Sequence, residues 1–423
     1  MLTPDHLVHA LHVAAATAGA IGAGKVGGFV ARRVRQPEVM GEILVGLLIA
    51  PVAAHVLGAG VIHALLPDRV LSGLTVVAEV GLALFLVGVA HELREGLART
   101  PPGTVGWVAA GGFLPAVTAG LLLAIWVMSV ESPHVRGTAP ASAFVVMIAV
   151  SLTVTAVPVL ARILVERGMT ATATGRLALA SAIVVDAGAW LGLALAVGLA
   201  TGDSVGLVRS VAVLVGAGAV ALGVRRLLGA RRVSESCARR PVASAVLVAA
   251  VALGLALGVG YGGMTSVLGA VLAGLAVPAA GRWTFAVAGV TAVGRALVPA
   301  FFVVTGIAVL GGGLAGTTMS LVVTAIVLGV AGKILGGYAG ARLAGQHPWS
   351  ALRIGCLLNT RGLTELIVLR AGLNAGLLTP PMFLALLVMA LATTAMTGPS
   401  LTLVDHVERR SRRQRAGRRE EGG

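Results

Sequence analysis

Apolar residues gather along this chain into blocks of about twenty, the length at which a helix crosses a bilayer, separated by short joints rich in proline, glycine and arginine. None of the blocks shows the strict apolar/polar alternation of an outer-membrane barrel, and hydrocarbon cannot satisfy a free backbone, so each block reads as a helix. The pattern predicts thirteen spans: 7–31, 37–57, 71–90, 104–130, 139–164, 173–200, 205–224, 242–260, 263–280, 285–311, 318–341, 350–372 and 380–403. The expected fold class is therefore an all-α polytopic membrane protein with no soluble domain outside the spans. The first block lacks a basic leader, Asp5 being the only acid or base before His6, so a retained helix is expected rather than a cleaved signal.

Composition agrees with the pattern: 57% of residues are hydrophobic, 12% are charged, and the mean hydropathy is +0.96. The net charge of +15 follows from topology. With the N-terminus outside, 24 basic residues, Arg162 among them, fall in inner connections or at the inner ends of spans and 4 in outer connections or at outer ends, the asymmetry that orients helices in the cell membrane. An N-out, C-in chain with an odd number of spans is expected, its basic loop 225–240 and tail 405–423 meeting anionic inner-leaflet lipids. Neither segment carries aromatic interleaving or a nucleic-acid module, so nucleic acid is not an expected partner. Cys237 and Cys356 fall in a basic loop and in a span and imply no disulfide framework.

Ionisable residues within spans are the natural functional candidates, because a charge at the bilayer centre costs roughly 2.5–3.5 kcal/mol. Apart from arginines counted with the connections, they are Lys25, Glu42, Glu79, Asp186, Arg295, Lys333, Arg361 and Glu365. Lys25 and Arg295 lie where a side chain can snorkel to the membrane edge. Glu42 and Glu79 read either as polar tethers in the bundle or as stations on a proton route. Asp186, in "ALASAIVVDAGAWLGLAL", has only Ile183, Ala182, Ala189 and Trp190 one turn away. It must find a partner on another helix, hold a cation, or stay protonated.

Two spans are interrupted by their own residues. In "SLTVTAVPVLARIL", Pro158 removes a backbone donor near Val154, and Ser151, Thr153 and Thr155 add hydroxyls beside the freed carbonyls. Such neutral oxygens suit a dehydrated monovalent cation. In "LLNTRGLTELIVL", Asn359, Thr360, Gly362 and Thr364 weaken a helix, while Arg361 and Glu365 stand at i and i+4 and can neutralise each other and the interrupted helix ends. "NT" and the freed backbone are then expected to face the ion. The two spans are the fifth and the twelfth, seven apart, so in repeats offset by seven they run in opposite directions. Paired interrupted helices in inverted repeats point to a secondary transporter's midplane site. Asp186 and Lys333 each lie in the span next to one of them.

At these residues the chain resembles the monovalent cation/proton antiporter superfamily, in the branch of plant cation/proton exchangers and bacterial potassium efflux antiporters. "QPEVMGEILVGLLIAP", "GLALFLVGVAHEL", "GRLALASAIVVDAGAW", "LGAVLAGLAVP" and "LVPAFFVVTGI" join the two interrupted motifs in that resemblance. It implies a transmembrane domain over 1–404, with inverted repeats at about 7–200 and 242–403 joined by the helix 205–224, two crossing interrupted helices, alternating access and a homodimer. It puts the ion-binding aspartate on Asp186 and the basic residue of the core on Lys333. The expected activity is exchange of H+ for Na+ or K+, with Asp186, Ser151, Thr153, Thr155, Asn359 and Thr360 as cation ligands, Pro158, Arg361, Glu365, Glu42 and Glu79 as auxiliary residues, and no cofactor. Val185 stands where the family usually has a second polar residue, which leaves one carboxylate and implies electroneutral one-for-one exchange. Lys333 then pairs with Asp186 or with a helix carbonyl. No nucleotide-binding domain follows Leu403, so control by one in cis is not expected.

Two other classes are compatible with a polytopic helical chain. A sensor or scaffold keeping the fold without moving ions is the alternative that Val185 keeps open. An intramembrane enzyme is disfavoured: "HELRE" at 91–95 lacks the second histidine of the zinc signature, and no second aspartate joins Asp186. His6, His9 and His12 read as a solvated edge of the first span rather than a metal site.

Overall fold

The computed structural model describes residues 4–34, 36–57, 67–97, 101–202, 205–230, 233, 240–278, 281–309 and 317–420. Cys237 and part of the basic loop lie outside them. Every predicted span is helical. The helices longer than one turn are α1 (Pro4–Arg33), α2 (Glu38–Leu57), α3 (Asp68–Leu97), α4 (Pro102–Val130), α5 (Ala141–Thr153), α6 (Val157–Glu166), α7 (Ala173–Thr201), α8 (Val205–Gly229), α9 (Pro241–Tyr261), α10 (Ser266–Ala276), α11 (Gly281–Val309), α12 (Met319–Leu343), α13 (Pro348–Leu358), α14 (Leu363–Asn374) and α15 (Pro380–Glu420). The fifth span is thus the pair α5 and α6, and the twelfth the pair α13 and α14. Ten stretches of the described residues are long and apolar enough to cross a membrane, the fifth span among them.

Two predicted boundaries move. The ninth span, 263–280, contains a helix of only 11 residues, because the Thr265 hydroxyl caps its start on Val267 N at 3.3 Å and Pro278 follows its end. The thirteenth runs past 403 to Glu420. Arg353 of α13 pairs with Asp405 at 2.7 Å and also with Glu408, fastening the first turns beyond the apolar block.

The helices pack as two groups: α1, α2, α3, α9, α10 and α11 against one another, and α4 to α7 with α12 to α15 against one another, while α8 bridges α7 to α9 and α10. Small residues bring the backbones close, as lipid-embedded helices require when no aqueous hydrophobic effect presses them together. At the crossing of α4 and α12, a Cβ on Gly336 would lie 2.3 Å from the Gly111 carbonyl oxygen. Close approach there keeps Lys333, one turn earlier on α12, completely buried.

Candidate functional site

The site grows from two broken helices. α5 stops at Thr153, residues 154–156 are extended, and α6 begins at Val157 with Pro158 in its first turn, where a missing N–H costs nothing. The proline therefore starts a second half-helix rather than kinking a continuous one. Likewise α13 ends at Leu358 and α14 begins at Leu363. The two linkers cross in contact: Ala156 N donates to Thr360 O at 3.2 Å, and the Thr155 hydroxyl lies 3.4 Å from Leu358 O. Gly362 is needed at this crossing, since a Cβ there would lie 2.6 Å from Val159 Cγ2, at a backbone φ of +157°.

Breaking α5 leaves its last carbonyls without helical donors, and the chain's own cations take them. Arg361 Nη1 donates to Ser151 O at 2.7 Å and Nη2 to Leu152 O at 2.6 Å. Lys333 Nζ donates to Thr153 O and to the Thr155 hydroxyl, the latter at 2.7 Å. Two positive charges thus sit at the negative end of a helix dipole. Arg361 also pairs with Glu365 at 3.1 Å, both side chains fully buried. The carbonyls expected to face the ion are held instead by Arg361 and Lys333. The hydroxyls of Ser151 and Thr153 turn back to Met147 O and Ala149 O of their own helix at 2.8 and 2.7 Å, a common habit of such residues in apolar surroundings.

The other linker is held by residues that sequence reasoning passed over. Arg361 N donates to the Thr394 hydroxyl at 2.9 Å, and that hydroxyl lies 2.7 Å from Arg361 O, its acceptor. Asn359 Nδ2 donates to Thr393 O at 3.3 Å, and the hydroxyls of Thr360 and Thr397 are 3.5 Å apart. The signal available was "LATTAMTG", three threonines sharing one side of the thirteenth span.

Asp186 is buried midway along α7 beside the buried Val185. Its Oδ1 has no hydrogen-bond partner, nor have Asn359 Oδ1 and Glu365 Oε2. Lys333 acts on Asp186 and on the Arg361–Glu365 pair electrostatically, but among the described residues it forms no ion pair with Asp186. Of the two partners open to Lys333, the helix carbonyl is the one it takes.

Glu42 and Glu79 part company. Glu42 is buried on α2, 3.3 Å from Arg162 of α6. Arg162 also meets Glu38 at 3.0 Å and Glu166 at 3.1 Å, and Glu38 meets Arg32 at 2.9 Å. This network joins the two helix groups. Arg162, one of the arginines that the sequence assigns to the inner side, lies buried within α6. Glu79 stands on the exposed face of α3 with no hydrogen bond or ion pair among the described residues, so no tether holds it there. Lys25 and Arg295, both exposed, line one partly open cavity.

A profile of the sodium/hydrogen exchanger transmembrane family matches residues 21–404. The chain belongs to that family. It is 32% identical over 398 residues to Cation/H(+) antiporter 18 of Arabidopsis thaliana, covering 91% of this chain and 48% of that one. It is 29% identical over 394 residues to the Na(+)/H(+) antiporter NhaS4 of Synechocystis, covering 90% and 93%. The chain therefore spans about half the length of the plant family members it matches and nearly all of the cyanobacterial one. Its fold matches that of the sodium proton antiporter MjNhaP1 of Methanocaldococcus jannaschii, with a TM-score of 0.59 at 15% identity over 93% of this chain and 96% of that one.

Proposed function

We propose that this chain exchanges H+ for a monovalent cation, Na+ or K+, across the cell membrane by alternating access, with Asp186 as the shared carboxylate. The observation that carries the reading is a buried Asp186 with an unpartnered oxygen beside a lysine already committed to Thr153 and Thr155. A carboxylate left in this position must be compensated. A proton does so in one form of the carrier and a cation in the other, never both, which couples the two movements in opposite directions. Asn359, with a buried unpartnered Oδ1, is the member of the expected ligand set best able to accept the cation alongside Asp186. Ser151, Thr153, Thr155 and Thr360 shape the crossing around it.

The two loaded forms of Asp186 carry the same charge, and Lys333 and Arg361 stay on the end of α5, so the exchange is electroneutral, one for one. Family names support the substrate class: relatives are called Na(+)/H(+) and K(+)/H(+) antiporters. The N-terminus faces outward, the basic extension of α15 lies at the anionic inner leaflet, and two copies associate as a homodimer.

The test is dye-reported proton efflux from everted vesicles with sodium, potassium, rubidium or lithium added. The wild type is expected to dequench the dye with sodium or potassium and Asp186→Asn to stay silent. Silence of the wild type with all four cations refutes the reading in favour of the sensor or scaffold. A sustained net current on solid-supported membranes under an ion gradient refutes electroneutrality.

A further inference from the structure

Lys25 and Arg295 are two membrane-embedded cations that the exchange reaction does not use. Arg295 lies 14 residues along α11, about 21 Å from its start at the usual helical rise, and so near the middle of the span. Lys25 lies 8 residues from the end of α1. The helices meet beside them, where a Cβ on Gly24 would lie 2.9 Å from Pro299 Cβ. Both side chains line one cavity of about 820 Å³, bounded by α1, α2, α3, α11 and Arg162 of α6.

The other charges of that cavity are mostly spent. Arg162 and Arg32 are paired with Glu38, Glu42 and Glu166, whereas among the described residues Lys25, Arg295 and Glu92 have no hydrogen bond or ion pair. Two free positive charges thus face one free negative charge. An arginine this deep costs roughly 2.5–3.5 kcal/mol in lipid unless water or an anion compensates it. The remaining wall adds His91 to residues that are apolar or weakly polar, among them Val287, Ala288, Ala292, Ala296 and Thr284. An amphipathic lining at 820 Å³ has the size and character of a small-molecule site, far roomier than a bare ion needs.

We propose that this cavity binds a phosphate-bearing anion through Lys25 and Arg295. Phosphate matches paired cationic donors of this kind, and its source is either the headgroup of an anionic lipid or free phosphate. Glu92 opposes it across the cavity.

The experiment uses the full chain purified in detergent. Native mass spectrometry and thermal unfolding are recorded with phosphatidylglycerol, with diacylglycerol of the same chains, and with inorganic phosphate. The wild type is expected to retain and be stabilised by phosphatidylglycerol but not by diacylglycerol. Lys25→Gln and Arg295→Gln should each weaken binding about tenfold, the loss of one charge-assisted contact, and Glu92→Gln should tighten it. Stabilisation by inorganic phosphate alone, lost in the same variants, assigns the site to the free anion. Affinities unchanged in all three variants, or no stabilisation of the wild type by either phosphate source, overturns the proposal. Should a glutamine variant not fold, Glu92→Gln decides alone, since its side chain is exposed. None of these measurements depends on ion exchange.

Discussion

Replacing Arg361 by methionine should be the most damaging single change at the crossing, and its partner should tell why. The guanidinium is completely buried and makes contacts at 2.7 Å to Ser151 O, 2.6 Å to Leu152 O and 3.1 Å to Glu365. Arg361→Met leaves a buried carboxylate uncompensated, a loss of about 3–5 kcal/mol, and returns two helix-end carbonyls to the unsatisfied state. Glu365→Gln removes one of the three contacts while Arg361 keeps both carbonyls, so it should cost only about 1–2 kcal/mol. In the double variant the stranded charge is gone. It should therefore be more stable than Arg361→Met alone, with a coupling energy of about 1–3 kcal/mol. The assay is thermal unfolding of the four purified proteins in one detergent, read as an order of midpoints, because such unfolding is commonly irreversible. A double variant that melts as far below Arg361→Met as Glu365→Gln melts below wild type refutes the ion-pair account and leaves only the α5 carbonyls. In vesicles, Glu365→Gln should lower expression or turnover while keeping the order of preference among cations.

Three further outcomes follow from the same geometry. Gly362→Ala drives a methyl to 2.6 Å from Val159 Cγ2 and should destabilise by about 1–3 kcal/mol; Val159→Ala should restore part of the lost melting temperature. Thr394→Val removes the hydroxyl that both accepts from Arg361 N and lies on Arg361 O and should cost about 1–3 kcal/mol, whereas Thr394→Ser should be near neutral in the same unfolding assay. Arg162→Met strands the buried Glu42 and should cost about 3–5 kcal/mol; adding Glu42→Gln should recover part of it, and no recovery would show that Glu38 and Glu166 are the partners that matter.

What was legible in the sequence was whatever one span displays alone. Thirteen apolar blocks stand out because lipid imposes a length and a polarity on each, and the interruptions at 154–156 and 359–362 show because proline, glycine and hydroxyl residues disturb a helix locally. The Arg361–Glu365 contact was legible for the same reason, its partners being four residues apart. What was not legible is who satisfies the freed backbone, because those partners lie far along the chain. Thr394 is an ordinary residue in a membrane helix until Arg361 is known to lie against it. Arg162 looked like a topogenic arginine because its inner position suits one. Only packing against α2 shows it holding Glu42, and only the crossing of α1 and α11 brings Lys25 and Arg295 to one cavity.

The placement of Lys333 bears on why one carboxylate is enough. A lysine paired directly with Asp186 would neutralise it and weaken its hold on any other cation. Here the ammonium is fixed on Thr153 O and the Thr155 hydroxyl, and Arg361 occupies the neighbouring carbonyls of the same helix end. Both positive charges are thereby held at the helix end, Arg361 paired with Glu365, and Asp186 is left without a direct ion pair among the described residues. With the apolar Val185 beside it, no second acid adjoins it in the chain, and among the described residues no side chain donates to its Oδ1. On the proposed mechanism, further compensation arrives from outside the protein as a single positive charge, and a proton and a monovalent cation are equivalent in that respect. The same argument makes Val185→Asn informative: an added amide oxygen supplies a ligand to the metal ion but not to the proton. It should raise cation affinity at fixed pH, seen as a lower half-saturating sodium or potassium concentration in the vesicle assay, without introducing a net current. A current in that variant, or an unchanged half-saturation, would mean that Asp186 is not the group that holds the cation.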